Sequence, residues 1–244
     1  MILSDTTLCA IVRDEAMNPA GGIIDFVDST VPYVEQAVIV DTGSIDDTRE
    51  MLEQLASEYD NLTIVDTKFT DYASARNLSL QHAKTKKVLI LDADERLMVQ
   101  DFQKLIIMMN KLPAAGYNFQ IRHVSTDYEM PGIVHNPRLY RLNPRKKGYF
   151  GKVYYVNDRK RMYEWLYMKS EWGERRVAFE QELTTDSGIV IKHFLPSDQG
   201  QEWKNTSWYN LLEDQGENEN IPAPAQQAHF AEWKKYNPRR ELYR

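Results

Sequence analysis

Two carboxylates stand directly after an apolar run in this 244-residue chain. Residues 88–91 form the run, and Asp92 and Asp94 follow it with one residue between them. Such a run is typical of a buried parallel strand, and the ligand crevice of an open α/β sheet lies just outside the carboxyl ends of its strands. Two carboxylates at that place would bind Mg²⁺ or Mn²⁺ together with substrate phosphates. A solvated turn is the alternative interpretation of the same pair.

Three further groups of polar residues are predicted to lie at the same edge of the sheet. Arg13-Asp14-Glu15 follows the first predicted strand, and Asp41-Thr42-Gly43-Ser44 follows the second. Ala75-Arg76-Asn77 lies on the predicted helix that precedes residues 88–91. Parallel strands joined by right-handed crossovers place their carboxyl ends on one side of the sheet. The four groups should therefore surround one crevice.

Strand-like and helical patterns alternate through the first half of the chain and would position these groups. The predicted strands are residues 7–12, 37–40, 62–65 and 88–91, and the predicted helices include residues 23–27, 47–56, 71–83 and 97–109. Asp47 with Glu50 resembles a capping box at the start of the second helix. The alternation predicts an α/β fold with a mostly parallel, doubly wound sheet.

The second half of the chain has a different pattern. Residues 117–123, 138–142 and 152–156 alternate apolar and polar side chains, which predicts mixed or antiparallel strands added to the parallel core. Residues 188–194 are predicted to form the last strand. We expect one domain over residues 1–195, with a nucleotide-binding half (1–110) and an acceptor-side half (111–195). A C-terminal helical appendage is expected over residues 196–244.

Composition narrows the class of protein. The chain is 42% hydrophobic and 27% charged, as globular proteins are, and its net charge of -6 argues against nucleic acid as a partner. Cys9, the only cysteine, lies in an apolar run and is predicted to be a core residue. No segment has the ~18–20 apolar residues of a transmembrane helix, and the N-terminus lacks a signal-peptide pattern. These features predict a soluble, cytoplasmic protein.

Three motifs occur in order: Asp-Thr-Gly-Ser-x-Asp-x-Thr at residues 41–48, Ala-Arg-Asn at 75–77 and Asp-Ala-Asp-Glu at 92–95. The chain resembles family 2 glycosyltransferases of the GT-A fold, especially the bacterial and viral branch with these motifs. The resemblance is close over residues 7–97 and fades afterwards. It implies a metal-dependent transferase of the hexosyltransferase type. Such an enzyme moves a sugar from a nucleotide sugar, usually a UDP-sugar, to a glycan or another hydroxyl acceptor, with inversion.

The resemblance also implies roles for individual residues. Asp41 would bind the nucleotide base, and Arg76 would hold the base or the pyrophosphate. Asp92 would contact the ribose or, through water, the metal. Asp94 would ligate Mn²⁺ or Mg²⁺ between the two phosphates. GT-A enzymes often use a late histidine as a third metal ligand, and His193, at the end of an apolar strand, would be that ligand here.

Two site assignments depend on weaker signals. Glu15 is placed with the nucleotide-sugar site, although a solvated loop carboxylate fits the sequence equally well. Relatives often carry a His-Glu pair where this chain has Tyr154-Tyr155. Asp158 is the nearest carboxylate and is predicted to be the catalytic base, with Asp127 and Glu129 as competitors.

Alternatives remain for the residues and for the function. Asp41 could cap the following helix, Arg76 could pair with Asp71 on a helix surface, and His193 could be structural. A non-catalytic nucleotide- or sugar-binding module is the alternative function. A nucleotidyltransferase is disfavoured because residues 13–15 are acidic where a Gly-rich, basic loop is needed. The oligomeric state stays open, although the aromatic-rich tail could mediate a homodimer.

Overall fold

The computed structural model describes residues 2–16, 22–111, 116–124, 129–141, 152–158, 163–170, 173–176 and 184–194. Side chains are described for residues 2–16, 22–111, 116–122, 124 and 187–194. The predicted appendage, residues 196–244, lies outside the described residues. The division of the chain into domains therefore stays a prediction.

The elements of the first half alternate between strands and helices. In chain order they are β1 (Leu3–Val12), α1 (Gly22–Thr30), a 3-10 helix (Val31–Tyr33), β2 (Val34–Asp41), α2 (Thr48–Glu58), β3 (Leu62–Asp66), α3 (Tyr72–His82), β4 (Lys87–Ile90), β5 (Glu95–Arg96) and α4 (Val99–Lys111). Strands follow in the second half: β6 (Gly116–Val124), β7 (Glu129–Arg141), β8 (Lys152–Asp158), β9 (Tyr163–Ser170), β10 (Gly173–Arg176) and β11 (Thr184–Phe194).

An eight-stranded sheet in the order β3-β2-β1-β4-β7-β6-β11-β5 forms the centre of the protein. Strands β3, β2, β1 and β4 are parallel to one another, and β7 then joins β4 in the antiparallel direction. Strand β11 runs parallel to β6, and the short β5 runs antiparallel to β11. A separate sheet contains β10, β9 and β8. The predicted α/β fold, with mixed strands added to a parallel core, is confirmed.

The central strands are apolar because they are covered on both faces. Leu8, Ile39 and Leu89 have no exposed surface. Cys9 is 1% exposed, and burial raises the pKa of its thiol to about 12. A thiol with this pKa does not ionise near neutral pH, so the prediction that Cys9 is a core residue rather than a nucleophile is confirmed.

The starts of two helices show how local sequence sets the loops around the site. Asp71 caps α3 as predicted, because its Oδ1 accepts the amide of Ser74 at 2.8 Å. The predicted capping box of Asp47 at α2 is wrong, since its side chain makes no capping hydrogen bond. Asp46, which is buried between two loops, accepts the amide of Thr48 at 2.9 Å instead.

Helix lengths and composition also bear on membranes. Among the described ranges, no helix is both long and apolar enough to cross a bilayer.

Candidate active site

The loops after β1 and β2 are fastened to each other. The amide and the hydroxyl of Thr42 both donate to the carbonyl of Val12, at 3.0 Å each. Asp14 has a φ of +54°, a left-handed conformation that Asp tolerates better than most residues. Its Oδ1 accepts the amides of Ile45 at 2.7 Å and Asp46 at 3.3 Å. These contacts fix the edge of the crevice on the β1–β2 side.

Glu15 lies in the first of these loops and is 9% exposed. Its amide donates to Thr48 Oγ1 at 2.8 Å, and its carbonyl accepts the amide of Ile23 at 2.8 Å. The alternative of a solvated loop carboxylate is therefore wrong. A direct role for the Glu15 carboxylate in donor binding stays a prediction.

Asp41 is the last residue of β2 and is 2% exposed. Its Oδ1 accepts the amides of Gly43 and Ser44 at 2.7 Å each, which holds the carboxylate rigidly in the turn. Its Oδ2 is buried and has no hydrogen-bond partner within the described part of the chain. A buried acceptor without a partner is costly, so this oxygen is suited to an N–H donor from a ligand. The helix-cap alternative does not fit these contacts.

Arg76 on α3 points to the end of β4. Its Nη2 donates to Asp92 Oδ1 at 2.7 Å, and the residue is 8% exposed. Asp71 is occupied by the amide and hydroxyl of Ser74, at 2.8 and 2.7 Å. The alternative of a surface Arg76–Asp71 pair is therefore wrong. The side chain of Asp92 keeps 32% of its surface exposed, so a ligand can still reach it.

Asp94 and His193 meet although they lie far apart in the sequence. Strand β11 pairs with β5 so that His193 is opposite Glu95, and this register puts the imidazole beside the turn. His193 Nε2 lies 3.4 Å from Asp94 Oδ2. Burial alone would lower the pKa of His193. Hydrogen bonding to Asp94 and the charges of Asp94, Glu95 and Asp92 outweigh burial and raise that pKa above its usual value.

The Asp94–His193 pair fits a dication that also binds phosphate. Two neighbouring ligands of an octahedral ion with bonds of about 2.1 Å lie roughly 3 Å apart, close to the separation found here. No group of three or more His, Cys, Asp or Glu side chains with metal-site geometry occurs among the described side chains. Mg²⁺ and similar ions often use one or two carboxylates and complete their shell with water and substrate phosphates. A third protein ligand is therefore unnecessary.

Two residues that follow the turn were not assigned from the sequence. The sequence left Glu95 open between a site residue and a structural one and marked no role for Arg96, yet they are 1% and 8% exposed. Glu95 Oε2 accepts the amide of Asp92 at 3.0 Å. Nothing local in the sequence marks Arg96, because one of its partners is the carbonyl of Gly22, far away in the chain.

The predicted catalytic base, Asp158, is described for its backbone alone. Asp158 is the last residue of β8, and this strand lies against α3, the helix that carries Arg76. The side chains of Asp158 and Glu129 are outside the described side chains, and Asp127 lies outside the described residues. The assignment of Asp158 stays a prediction.

Asp46 makes the free energy of unfolding of the protein depend on pH. Burial and the nearby charge of Asp14 raise the pKa of Asp46 from 3.8 to about 7. The folded protein therefore holds a proton that the unfolded chain releases, and the free energy of unfolding falls as the pH rises from about 4 to about 7. We expect Asp46→Asn to reduce this fall, because the amide cannot ionise. Denaturant unfolding between about pH 5 and pH 8 measures the slope.

Asp47→Asn is the matched control, because Asp47 is the exposed neighbour in the same turn. It should keep the wild-type slope. Equal slopes in wild type and Asp46→Asn would show that Asp46 is ionised throughout and that its burial is fully compensated.

The family described as Glycosyl transferase family 2 matches residues 25–181. A TPR repeat-containing protein of Synechococcus elongatus is 27% identical over 140 residues, covering 57% of this chain and 32% of that protein. The chain thus spans about a third of the length of this relative.

Solved structures with a similar arrangement include those of S. aureus TarS. A structure of its residues 1–349 is 16% identical, covers 52% of this chain and 38% of that chain, and has a TM-score of 0.43. The same fragment in complex with UDP-GlcNAc is also 16% identical, with coverages of 52% and 37% and a TM-score of 0.44.

Proposed function

Because this chain belongs to glycosyl transferase family 2, we propose that it transfers a sugar from a nucleotide sugar to an acceptor hydroxyl. Its α/β sheet has the GT-A arrangement that the sequence motifs led us to expect. We further propose a UDP-sugar as donor, Mn²⁺ or Mg²⁺ as cofactor, a glycan or another hydroxyl compound as acceptor, and inversion at the anomeric carbon.

One observation supports the proposal: Asp41 Oδ2 and the Asp94–His193 pair lie along the same edge of the sheet. Asp41 Oδ2 is a buried acceptor with no hydrogen-bond partner among the described residues. Asp41 ends β2, while Asp92 and Asp94 follow β4, and one strand, β1, lies between them. Adjacent strands are ~4.8 Å apart, so these groups are separated by about 10 Å along the sheet edge. A nucleoside diphosphate can span this distance with its base at Asp41 and its phosphates at Asp94.

Different residues of the chain would bind different parts of the donor. Asp41 Oδ2 would accept an N–H of the base, and its rigid turn means that no ordering is needed on binding. Arg76, held at Asp92 by its 2.7 Å bond, would add positive charge near the diphosphate. A dication held by Asp94 and His193 would stabilise the negative charge that develops on the leaving diphosphate.

The transfer itself needs one proton acceptor. The oxygen of the acceptor hydroxyl attacks the anomeric carbon on the face opposite the diphosphate. The bond between that carbon and the phosphate oxygen breaks, and its electron pair leaves with the nucleotide. The hydroxyl proton passes to a carboxylate, which we assign to Asp158. A single in-line displacement inverts the configuration.

Asp41→Asn tests the base-binding assignment. The amide oxygen can keep the two turn hydrogen bonds, while the amide nitrogen replaces Oδ2 and opposes an N–H of the ligand. A hydrogen bond to a charged acceptor contributes about 1.5–3 kcal/mol, so we expect UDP affinity to fall roughly 10–100-fold. Calorimetric titration with UDP in the presence of Mn²⁺ measures the change.

Asp47→Asn serves as control, because it changes an exposed carboxylate in the same segment. Wild-type UDP affinity in Asp41→Asn would place the base elsewhere. With wild-type protein, release of free sugar from a panel of UDP-sugars in Mn²⁺ then identifies the donor.

A further inference from the structure

The backbone of the Asp92–Asp94 turn is held at four points. The amide of Asp92 donates to Glu95 Oε2 at 3.0 Å, and its carbonyl accepts the amide of Glu95 at 2.9 Å. The carbonyl of Ala93 accepts Arg96 Nη1 at 2.7 Å, and the carbonyl of Asp94 accepts the amide of Phe194 at 2.9 Å. Two of these four bonds come from the side chains of Glu95 and Arg96.

Arg96 also ties the turn to a second segment. Its Nη1 reaches the carbonyl of Glu95 at 2.8 Å, and its Nη2 reaches the carbonyl of Gly22 at 3.1 Å. The Cζ of Arg96 lies over the Phe26 ring, 5.5 Å from its centre, which adds a cation–π contact. Gly22 is the first residue of α1, next to Ile23, whose amide donates to the carbonyl of Glu15. Arg96 therefore connects the turn with the start of α1 and, through Ile23, with the loop after β1.

We propose that Glu95 and Arg96 are positioning residues that set the directions of the Asp92 and Asp94 carboxylates without contacting the donor. This inference rests on the proposed function, in which Asp94 ligates a dication and Asp92 holds Arg76. Holding the peptide groups on both sides of Asp94 restricts the backbone dihedrals that orient its side chain. A carboxylate fixed in advance loses less entropy when it binds a metal.

Lysine cannot replace Arg96 in this role. The guanidinium is a planar group with five donors in fixed directions, whereas the lysine ammonium is a compact, strongly hydrated charge. One ammonium cannot reproduce the fixed contacts with the carbonyls of Ala93, Glu95 and Gly22. Loss of a partner that orients a metal ligand typically lowers metal affinity 10–100-fold.

The test is Arg96→Lys, which keeps the charge. We expect the affinity for Mn²⁺, titrated calorimetrically in saturating UDP, to fall about 10–100-fold. Arg49→Lys is the matched control, because it makes the same chemical change away from the turn. Arg49 bonds Asp66 and Glu53 on the surface of α2. The control should keep wild-type affinity for Mn²⁺.

A second measurement does not depend on ligands. Amide hydrogen exchange should be faster at Asp92 and Phe194 in Arg96→Lys, while the amides of Gly43 and Ser44 keep their wild-type rates. If wild-type protein binds neither Mn²⁺ nor UDP, the proposed function fails, and exchange still tests the positioning role. Wild-type exchange at the turn, or wild-type Mn²⁺ affinity in a protein that binds metal, would overturn the inference.

Glu95 provides a rescue test. Glu95→Gln keeps an acceptor for the amide of Asp92, whereas Glu95→Ala removes it. We expect the glutamine variant to retain more Mn²⁺ affinity than the alanine variant. Equal losses of Mn²⁺ affinity in both variants would overturn the positioning role of Glu95. The missing charge, rather than the missing hydrogen bond to the amide of Asp92, would then explain the loss.

Discussion

Asp94→Asn is expected to lower the rate of sugar transfer about 1,000-fold and to remove the dependence of UDP binding on Mn²⁺. Asparagine has almost the same shape as aspartate but carries no charge and offers only a weak carbonyl ligand. The side chain of Asp94 is 14% exposed, and its Oδ2 lies 3.4 Å from His193 Nε2. A dication would be left with one strong protein ligand. Transfer assays and calorimetric titrations with UDP, with and without Mn²⁺, measure both effects.

Asp60→Asn is a suitable control, because it neutralises an exposed carboxylate in the turn before β3. It should match the wild type in both assays. His193→Ala, like Asp94→Asn, should weaken Mn²⁺ binding. Unchanged Mn²⁺-dependent UDP binding in Asp94→Asn would show that the metal assignment is wrong.

Asp158→Asn is expected to lower transfer about 100- to 10,000-fold while leaving UDP binding at the wild-type value. The physical reason is that the acceptor hydroxyl must lose its proton as it attacks, and a positioned carboxylate receives that proton. Asp158 ends β8, and this strand contacts α3, the helix that carries Arg76. The measurement is single-turnover transfer to an identified acceptor, with UDP affinity measured in parallel.

Asp127→Asn and Glu129→Gln are the comparison variants, since these two carboxylates are the other candidates for the base. Each should transfer at close to the wild-type rate if Asp158 is the base. Full transfer by Asp158→Asn would assign the base to Asp127 or Glu129 instead.

The sequence predicted that Asp41 and the Asp92–Asp94 turn lie at one edge of the sheet, because each follows its strand. Asp41 ends β2, and Asp92 comes two residues after the end of β4. Once strands are parallel, their carboxyl ends share one edge of the sheet, and no long-range contact is needed to bring the motifs together. Arg76 comes near the same edge because α3 is the crossover from β3 to β4, and its first turns start on the side of the carboxyl end of β3.

Other features depend on contacts that no local pattern contains. Strand β5 has two residues, too few for any periodicity, and it exists because β11 pairs with it at His193 and Lys192. The amide of Thr48 at the start of α2 donates to Asp46 rather than to Asp47, because contacts with the loop after β1 bury Asp46 and leave Asp47 exposed. Arg96 reaches Gly22, which only the folded chain brings near.

Calorimetric titration of UDP and GDP into wild-type protein, with and without Mn²⁺, tests directly whether the crevice binds a nucleotide together with a metal ion. Binding of UDP that requires Mn²⁺, with weaker or no binding of GDP, is the expected result, because Asp41 and the Asp94–His193 pair would then act on one ligand. Absence of binding by either nucleotide in Mn²⁺ would contradict the nucleotide site at this edge of the sheet. UDP binding that is identical with and without the metal would contradict the metal site at Asp94 and His193.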